Sequence, residues 1–297
     1  MESLLPSINS KKGIISNMSQ IHWFPGHMKK ALNEIEAKIK LVDIIIEILD
    51  ARAPLSSINP EFEKRTTNKK RIIVFSKADL ADPEETKKWE QYFKKSVDSL
   101  LILNLNEPKS TNIISNEVKR LGEEKHKKEI AKGMKPQPIK TMIIGIPNVG
   151  KSSLINRLAK RSAAGVQNKP GYTRGEQFIK VNNDFILLDT PGVLPMNYED
   201  KSKAINLALL GSVREEILPN EDLALYLIKY LNKHYPNALK DRFGIDNLSN
   251  FNDVINQIAK KRGLISGGEY DLNRAYILLL KEFKDGKLGR ITLEKAL

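Results

Sequence analysis

The chain has 297 residues, 40% apolar and 29% charged, which is length enough for two domains of ordinary size and a composition that excludes a disordered chain. A formal charge of +13 favours an acidic partner, nucleic acid among the choices, although a basic solvated surface has the same composition. With no cysteine, disulfides, thiolate metal sites and cysteine nucleophiles are excluded, and no run reaches the roughly 20 apolar residues of a membrane span.

Residues 1–19 read as a disordered extension with neither a secretory signal core nor the basic character of a transit peptide, and Met18 is a second candidate start. The expected location is the cytoplasm, with the mitochondrial matrix as the alternative. From His27 to Lys40, Met28, Leu32, Ile35 and Ile39 have the spacing of an amphipathic helix opened by Pro25-Gly26. Three short apolar runs follow, at 44–49, 71–75 and 100–105, with polar helical stretches between them. That alternation predicts a parallel sheet.

The second run leads directly into Ser76-Lys77-Ala78-Asp79, which contains the only Lys-x-Asp of the chain. At the end of a strand, such an aspartate accepts both guanine N1–H and the exocyclic 2-amino group. Adenine offers neither donor on that edge, so it leaves the carboxylate unpaired and is rejected. Asn104, after the third run, holds the place expected to contact guanine O6. Residues 123–138 have no apolar period and read as a linker.

Residues 139–144 read as a strand and 151–160 as a helix. Between them, Gly145-Ile146-Pro147-Asn148-Val149-Gly150-Lys151-Ser152 fits the phosphate-binding pattern G-x-x-x-x-G-K-[ST]. The two glycines let the backbone turn tightly, so that Pro147, Asn148, Val149, Gly150, Ser152 and Ser153 line a triphosphate at a helix N-terminus. Lys151 is expected to bridge the β- and γ-phosphates during catalysis, and the Ser152 hydroxyl to ligate Mg²⁺. A hairpin over 177–181 and 185–188, turning at Asn182-Asn183, ends at Asp189-Thr190-Pro191-Gly192. There the Asp189 carboxylate would hold Mg²⁺ through water, and the Gly192 N–H would contact the γ-phosphate. Asp241-Arg242-Phe243-Gly244 fits the same loose pattern but follows no strand and reads as a helix end. After Pro195 the strands stop, and helices are expected at 222–231, 252–261 and 271–283, the last capped by Asp271.

The guanine-reading motif therefore precedes the phosphate loop. A parallel sheet tolerates cutting in one loop and rejoining at neighbouring termini. The expected fold class is α/β: a circularly permuted Ras-like P-loop GTPase domain over 20–196, followed by a small all-α domain over 197–297. The segment after Gly192, which moves with the γ-phosphate in such folds, then leads straight into the helical domain.

On these motifs, together with Trp23-Phe24-Pro25-Gly26-His27-Met28, Asp50-Ala51-Arg52-Ala53-Pro54, Pro170-Gly171-Tyr172-Thr173-Arg174, Lys261-Arg262-Gly263 and Gly286-Lys287-Leu288-Gly289-Arg290, the chain resembles the YlqF/YawG family of circularly permuted GTPases. The resemblance implies a GTPase acting late in large ribosomal subunit assembly, contacting ribosomal RNA through a helical docking domain, with no membrane partner and monomeric when free. It implies that Thr173 is the switch threonine closing on Mg²⁺ and that Asn148 is a ligand for K⁺. Val193 follows the D-x-x-G motif where Ras-like enzymes carry a water-orienting glutamine, and valine has no polar group to replace it. The resemblance puts His27 in that role, whereas the residues alone read it as a surface group at a helix start.

Two departures stand out. Ser76 occupies the family's asparagine position, with fewer hydrogen bonds to offer the phosphate loop, and the segment around Asn104 matches loosely. Two other readings stay open from sequence: an ATP-using P-loop enzyme, and an RNA-binding scaffold that needs GTP bound but not hydrolysed.

Overall fold

The computed structural model describes residues 25–163, 178–188, 200–213 and 218–296. In chain order, helix α1 (Pro25–Ile39) precedes β1 (Ile44–Asp50), α2 (Pro54–Ser57), α3 (Pro60–Thr66) and β2 (Lys70–Ser76). Then come α4 (Pro83–Phe93), β3 (Ser99–Ile102), α5 (Lys109–Ala131), β4 (Ile139–Ile144), α6 (Lys151–Ala163) and the hairpin β5 (Phe178–Lys180) and β6 (Phe185–Leu188). The helical region holds α7 (Lys201–Leu209), α8 (Asn220–His234), α9 (Ala238–Phe243) and α10 (Phe251–Lys261). It closes with a small hairpin, β7 (Ile265–Ser266) and β8 (Glu269–Tyr270), and α11 (Leu272–Lys284).

The six-stranded sheet has the order β3-β2-β1-β4-β6-β5, parallel except for β5. Its centre is apolar on both faces apart from the buried Glu47 of β1, which Arg71 pairs at 2.6 Å, as strands covered on both sides require. Ile44, Ile46 and Ile48 pack with Ile114 and Val118 of α5 and with Leu154 and Leu158 of α6. On the other face, Ile45 meets Leu32 and Ile35 of α1 and Phe62 of α3, while Ile73 and Phe75 meet Trp89 and Phe93 of α4. The cluster on the α5/α6 side continues without a break into Leu227 and Leu231 of α8 and Leu279 and Phe283 of α11. The helical region shares its core with the sheet, where the sequence suggested two separate cores.

Three other local expectations change. The segment expected as a linker, 123–138, is helical up to Ala131, because ion pairs hold its solvated turns: Glu124 with Lys128 at 2.7 Å and Lys70 at 2.8 Å, and Lys125 with Asp43 at 2.7 Å. Strand structure does not stop at Pro195: β7 and β8 pair across Gly267-Gly268, at φ +60° and +90°, and are too short to show an alternating pattern. Helices α7, of nine residues, and α9, of six, also lie outside the three helices expected there. Gly244 ends α9 in the left-handed region, as expected for 241–244.

Past α11 the chain leaves the helices and runs back across the carboxyl ends of β1 and β2. Leu293 N donates to Arg52 O at 2.6 Å, and Ile291 N to Leu80 O at 3.0 Å. Glu294 accepts from Leu55 N, Ser56 N and the Ser56 hydroxyl, and its carbonyl accepts from Trp89 Nε1.

Candidate nucleotide-binding site

The phosphate loop departs from β4 in the centre of the sheet and enters α6 at Lys151. Gly145, Asn148 and Gly150 have φ of +149°, +60° and +104°, so three of six loop residues adopt conformations that ordinary side chains disfavour. Ile146 and Val149, both fully buried, pin the loop to the core. Gly145 has a second constraint: a Cβ there would lie 2.6 Å from the Ile48 carbonyl oxygen of β1, an atom fixed in the sheet. Gly145→Ala is therefore expected to destabilise the protein by about 2–4 kcal/mol, the sum of backbone strain and overpacking. Urea unfolding measures it, and an unchanged midpoint would show that the strand can give way.

Lys151 is only 6% exposed, and its Nζ donates to Ile146 O of its own loop. Burial lowers its pKa to about 8. A desolvated ammonium folded over a tight loop at a helix N-terminus suits an incoming polyanion. Ser152 and Ser153 are exposed on the first turn of α6, Pro147 is half-buried, and Asn148 is exposed with its Nδ2 donating to Gly211 O beyond α7.

Beside this loop lie the ends of β1, β2 and β3. Asp50 and Ser76 are partners in the β1–β2 register. Ser76 Oγ donates to Leu49 O at 3.0 Å, so the described hydroxyl ties β2 to β1 and not to the phosphate loop. Lys77 stands at φ +54°, with its Nζ 2.9 Å from Asp50 Oδ2. Asp50 is fully buried and also receives Arg52 through Nε, Nη2 and the backbone N–H. Burial alone would push the Asp50 carboxyl up, but Arg52 and Lys77 outweigh it and hold the group well below the usual carboxylate range. Arg52 Nη1 reaches onward to Lys284 O at the end of α11. The Asp50–Arg52 pair was visible in the sequence only as part of a matching motif, and its position beneath Lys77 needs the strand register.

Asp79 is exposed, and its carboxylate has no partner among the described residues. Asn104 is half-buried: its Oδ1 accepts from Asn106 N, and its carbonyl from Ser110 Oγ. Leu105 Cδ1 lies 3.1 Å from where a Gly150 Cβ would stand, so the loop after β3 touches the phosphate loop. The motifs at 76–79, 104 and 145–153 thus lie at the same carboxyl end of one parallel sheet, after β2, β3 and β4, where sheets of this kind bind ligands. Strand β6 pairs in parallel with β4 and ends at Leu188, one position before Asp189 in sequence. Thr173, Asp189, Gly192 and Val193 lie outside the described residues, and so does the His27 side chain, although its backbone belongs to the first turn of α1.

Against known proteins, the chain is 42% identical to ribosome biogenesis GTPase A of Bacillus cereus, over 92% of this chain and 93% of that protein. The chain belongs to the ribosome biogenesis GTPase A family. The Bacillus licheniformis member is 41% identical over 93% of this chain and 98% of its own length. A family model described as a 50S ribosome-binding GTPase matches residues 140–263, spanning the phosphate loop and much of the helical region. The crystal structure of GNP-bound YlqF from Thermotoga maritima superposes with a TM-score of 0.63 at 28% identity, covering 90% of this chain and 98% of that one. In this ribosome biogenesis GTPase A family member, then, the α/β sheet, the helical region and the loop cluster are all parts of a shared fold.

Proposed function

We propose that this protein is a circularly permuted GTPase that hydrolyses GTP to GDP and phosphate while assisting late assembly of the large ribosomal subunit. The observation that carries the reading is that the Lys77–Asp79 loop and the phosphate loop leave the same end of one parallel sheet, from β2 and β4 with only β1 between them, the base-reading loop coming first in the chain. Residues 20–196 form the GTPase domain, and 197–297 the part that docks on the precursor particle and its ribosomal RNA. The net charge of +13 supports a polyanionic partner, as do the exposed Lys260, Lys261 and Arg262 at the end of α10.

In this reading Asp79 accepts the guanine edge and Asn104 lies near O6. The loop residues Pro147 to Gly150 cradle the phosphates, with Ser152, Ser153 and Thr173 beside them and the Gly192 N–H at the γ-phosphate. Lys151 moves its ammonium from the Ile146 carbonyl to the β- and γ-phosphates. Ser152, exposed at the start of α6, would join Thr173 and Asp189 as an all-oxygen donor set of the kind Mg²⁺ takes, and that ion would supply positive charge at the phosphates. Asn148, whose Nδ2 donates to Gly211 O, keeps its Oδ1 as an acceptor that would hold a K⁺ ion. Val193 cannot orient water, so His27 takes that role on the particle. The protein is monomeric when free and acts in the cytoplasm.

GTP turnover measured in K⁺ and in Na⁺ buffer, with and without purified large subunits, tests the reading. The expected result is slow turnover alone and an increase of an order of magnitude or more with large but not small subunits, larger in K⁺. Turnover indifferent to both subunits would remove the ribosome from the proposal, and equal use of ATP would remove guanine.

A further inference from the structure

The loop that carries Asp79 is secured from outside the sheet. Between Lys77 and Asp82 its own backbone supplies one turn bond, Leu80 N to Lys77 O at 2.9 Å. Four more of its polar groups are taken by residues 290–292. Arg290 Nη2 donates to Ala78 O at 2.8 Å and Arg290 Nε to Ala81 O at 2.8 Å, Ile291 N donates to Leu80 O at 3.0 Å, and Thr292 Oγ1 accepts from Asp82 N at 3.0 Å. The carbonyls before and after Asp79 are thus held by the same guanidinium fork or by its neighbour, while the Asp79 carboxylate stays exposed and unpaired among the described residues. Gly286 adds a packing contact, lying so close to Leu80 that a Cβ would be 2.6 Å from Leu80 Cδ2.

The loop requires this support. Lys77 is held at φ +54°, a strained conformation for a lysine that persists only where surrounding contacts enforce it. Asp50 enforces it from beneath through Nζ, and Arg290 from the far side through the next carbonyl. Ser76 does not help, since its hydroxyl is committed to Leu49. The strap is itself anchored beyond the loop: Thr292 O accepts from Tyr230 OH at 2.7 Å, and Glu294 holds the start of α2. It is therefore a fixed support, and Arg290, exposed on its outer side, is the part that grips the loop.

We infer that Arg290 is a positioning residue for guanine recognition, holding the loop 77–82 so that the Asp79 carboxylate meets the N1–H and 2-amino edge of the base. This rests on the guanine reading above. It makes the helical region, through the strap that follows α11, a part of the base-specificity apparatus.

The test compares GDP with inosine diphosphate, which lacks only the 2-amino group, by displacement of a fluorescent GDP from the wild-type protein, Arg290→Ala and Arg290→Lys. Arg290→Ala is expected to weaken GDP by about tenfold and inosine diphosphate by much less, shrinking the ratio between them, as loss of a charge-assisted bond to Asp79's mount predicts. Arg290→Lys, with one ammonium to offer two carbonyls, should fall between. A variant weakened only in overall folding would lose both ligands equally, so an unchanged ratio overturns the inference, as does unchanged GDP affinity. Wild-type protein that does not prefer GDP to ADP would instead overturn the guanine reading itself, and the inference with it.

Discussion

Lys151→Ala is expected to lower GTP turnover by about 10²–10³-fold, the usual cost of losing a positioned cation at a centre where charge develops. The side chain is buried, donates to a carbonyl of its own loop and has its pKa lowered to about 8 by desolvation. A triphosphate restores the lost solvation and raises that pKa, so nucleotide affinity should be level below pH 8 and fall as pH rises above it. Guanine's own N1 proton titrates in a nearby range, and Lys151→Arg separates the two, since the lysine's share of the fall disappears in it. The same burial acts on stability with a definite sign. Below pH 8 the lysine is charged in both the folded and the unfolded chain, and the folded form bears the full desolvation cost. That cost is relieved as pH rises from about 8 toward the ordinary 10.5. Nucleotide-free Lys151→Met should accordingly melt above the parent at pH 7 while turning over far less GTP. A variant that melts lower and still hydrolyses GTP would contradict both halves.

Asp79→Asn should weaken GDP roughly a hundredfold or more and shift preference toward xanthosine diphosphate. A carboxylate presents two acceptors to guanine's two donors, whereas an amide presents one acceptor and one donor. Xanthine, with N1–H beside a 2-carbonyl, matches the amide. Because Asp79 is exposed and has no partner among the described residues, the substitution leaves no internal bond broken, and the melting temperature should hardly move. Competition binding with the two diphosphates reads the result; undiminished GDP affinity would take Asp79 out of the site.

The parts of this site that were legible in the sequence are those in which structure and chemistry are contiguous. Strand, phosphate loop and helix follow one another from Ile139 to Ala163, so local pattern alone locates them. Lys77 and Asp79 were legible for the same reason, sitting at the end of β2. Their supports were not. Asp50 lies under Lys77 only because β1 and β2 pair in a register that sets Asp50 against Ser76. Gly211 reaches Asn148 from 63 positions away, and Arg290 reaches Ala78 from 212. No periodicity encodes such contacts. The charged run after Glu123 misled for a related reason: its helical turns are stabilised by ion pairs to Lys70 and Asp43, distant in sequence, while the run itself has no apolar face. The shared core of sheet and helices was hidden in the same way, since an apolar stripe on α8 or α11 does not say which surface it covers.

The strand order also has a consequence for how the protein is made. β4 occupies the middle of the sheet, yet β1, β2 and β3 all leave the ribosome first. Until β4 arrives, the isoleucine-rich β1 is an edge strand with unpaired amides, the arrangement that most readily recruits a second chain. About 90 residues separate Asp50 from Ile139, which at ordinary synthesis rates of ~5–20 residues per second leaves that edge open for roughly 5–20 s. Chaperone demand during synthesis should therefore be concentrated in that interval, before the phosphate loop exists.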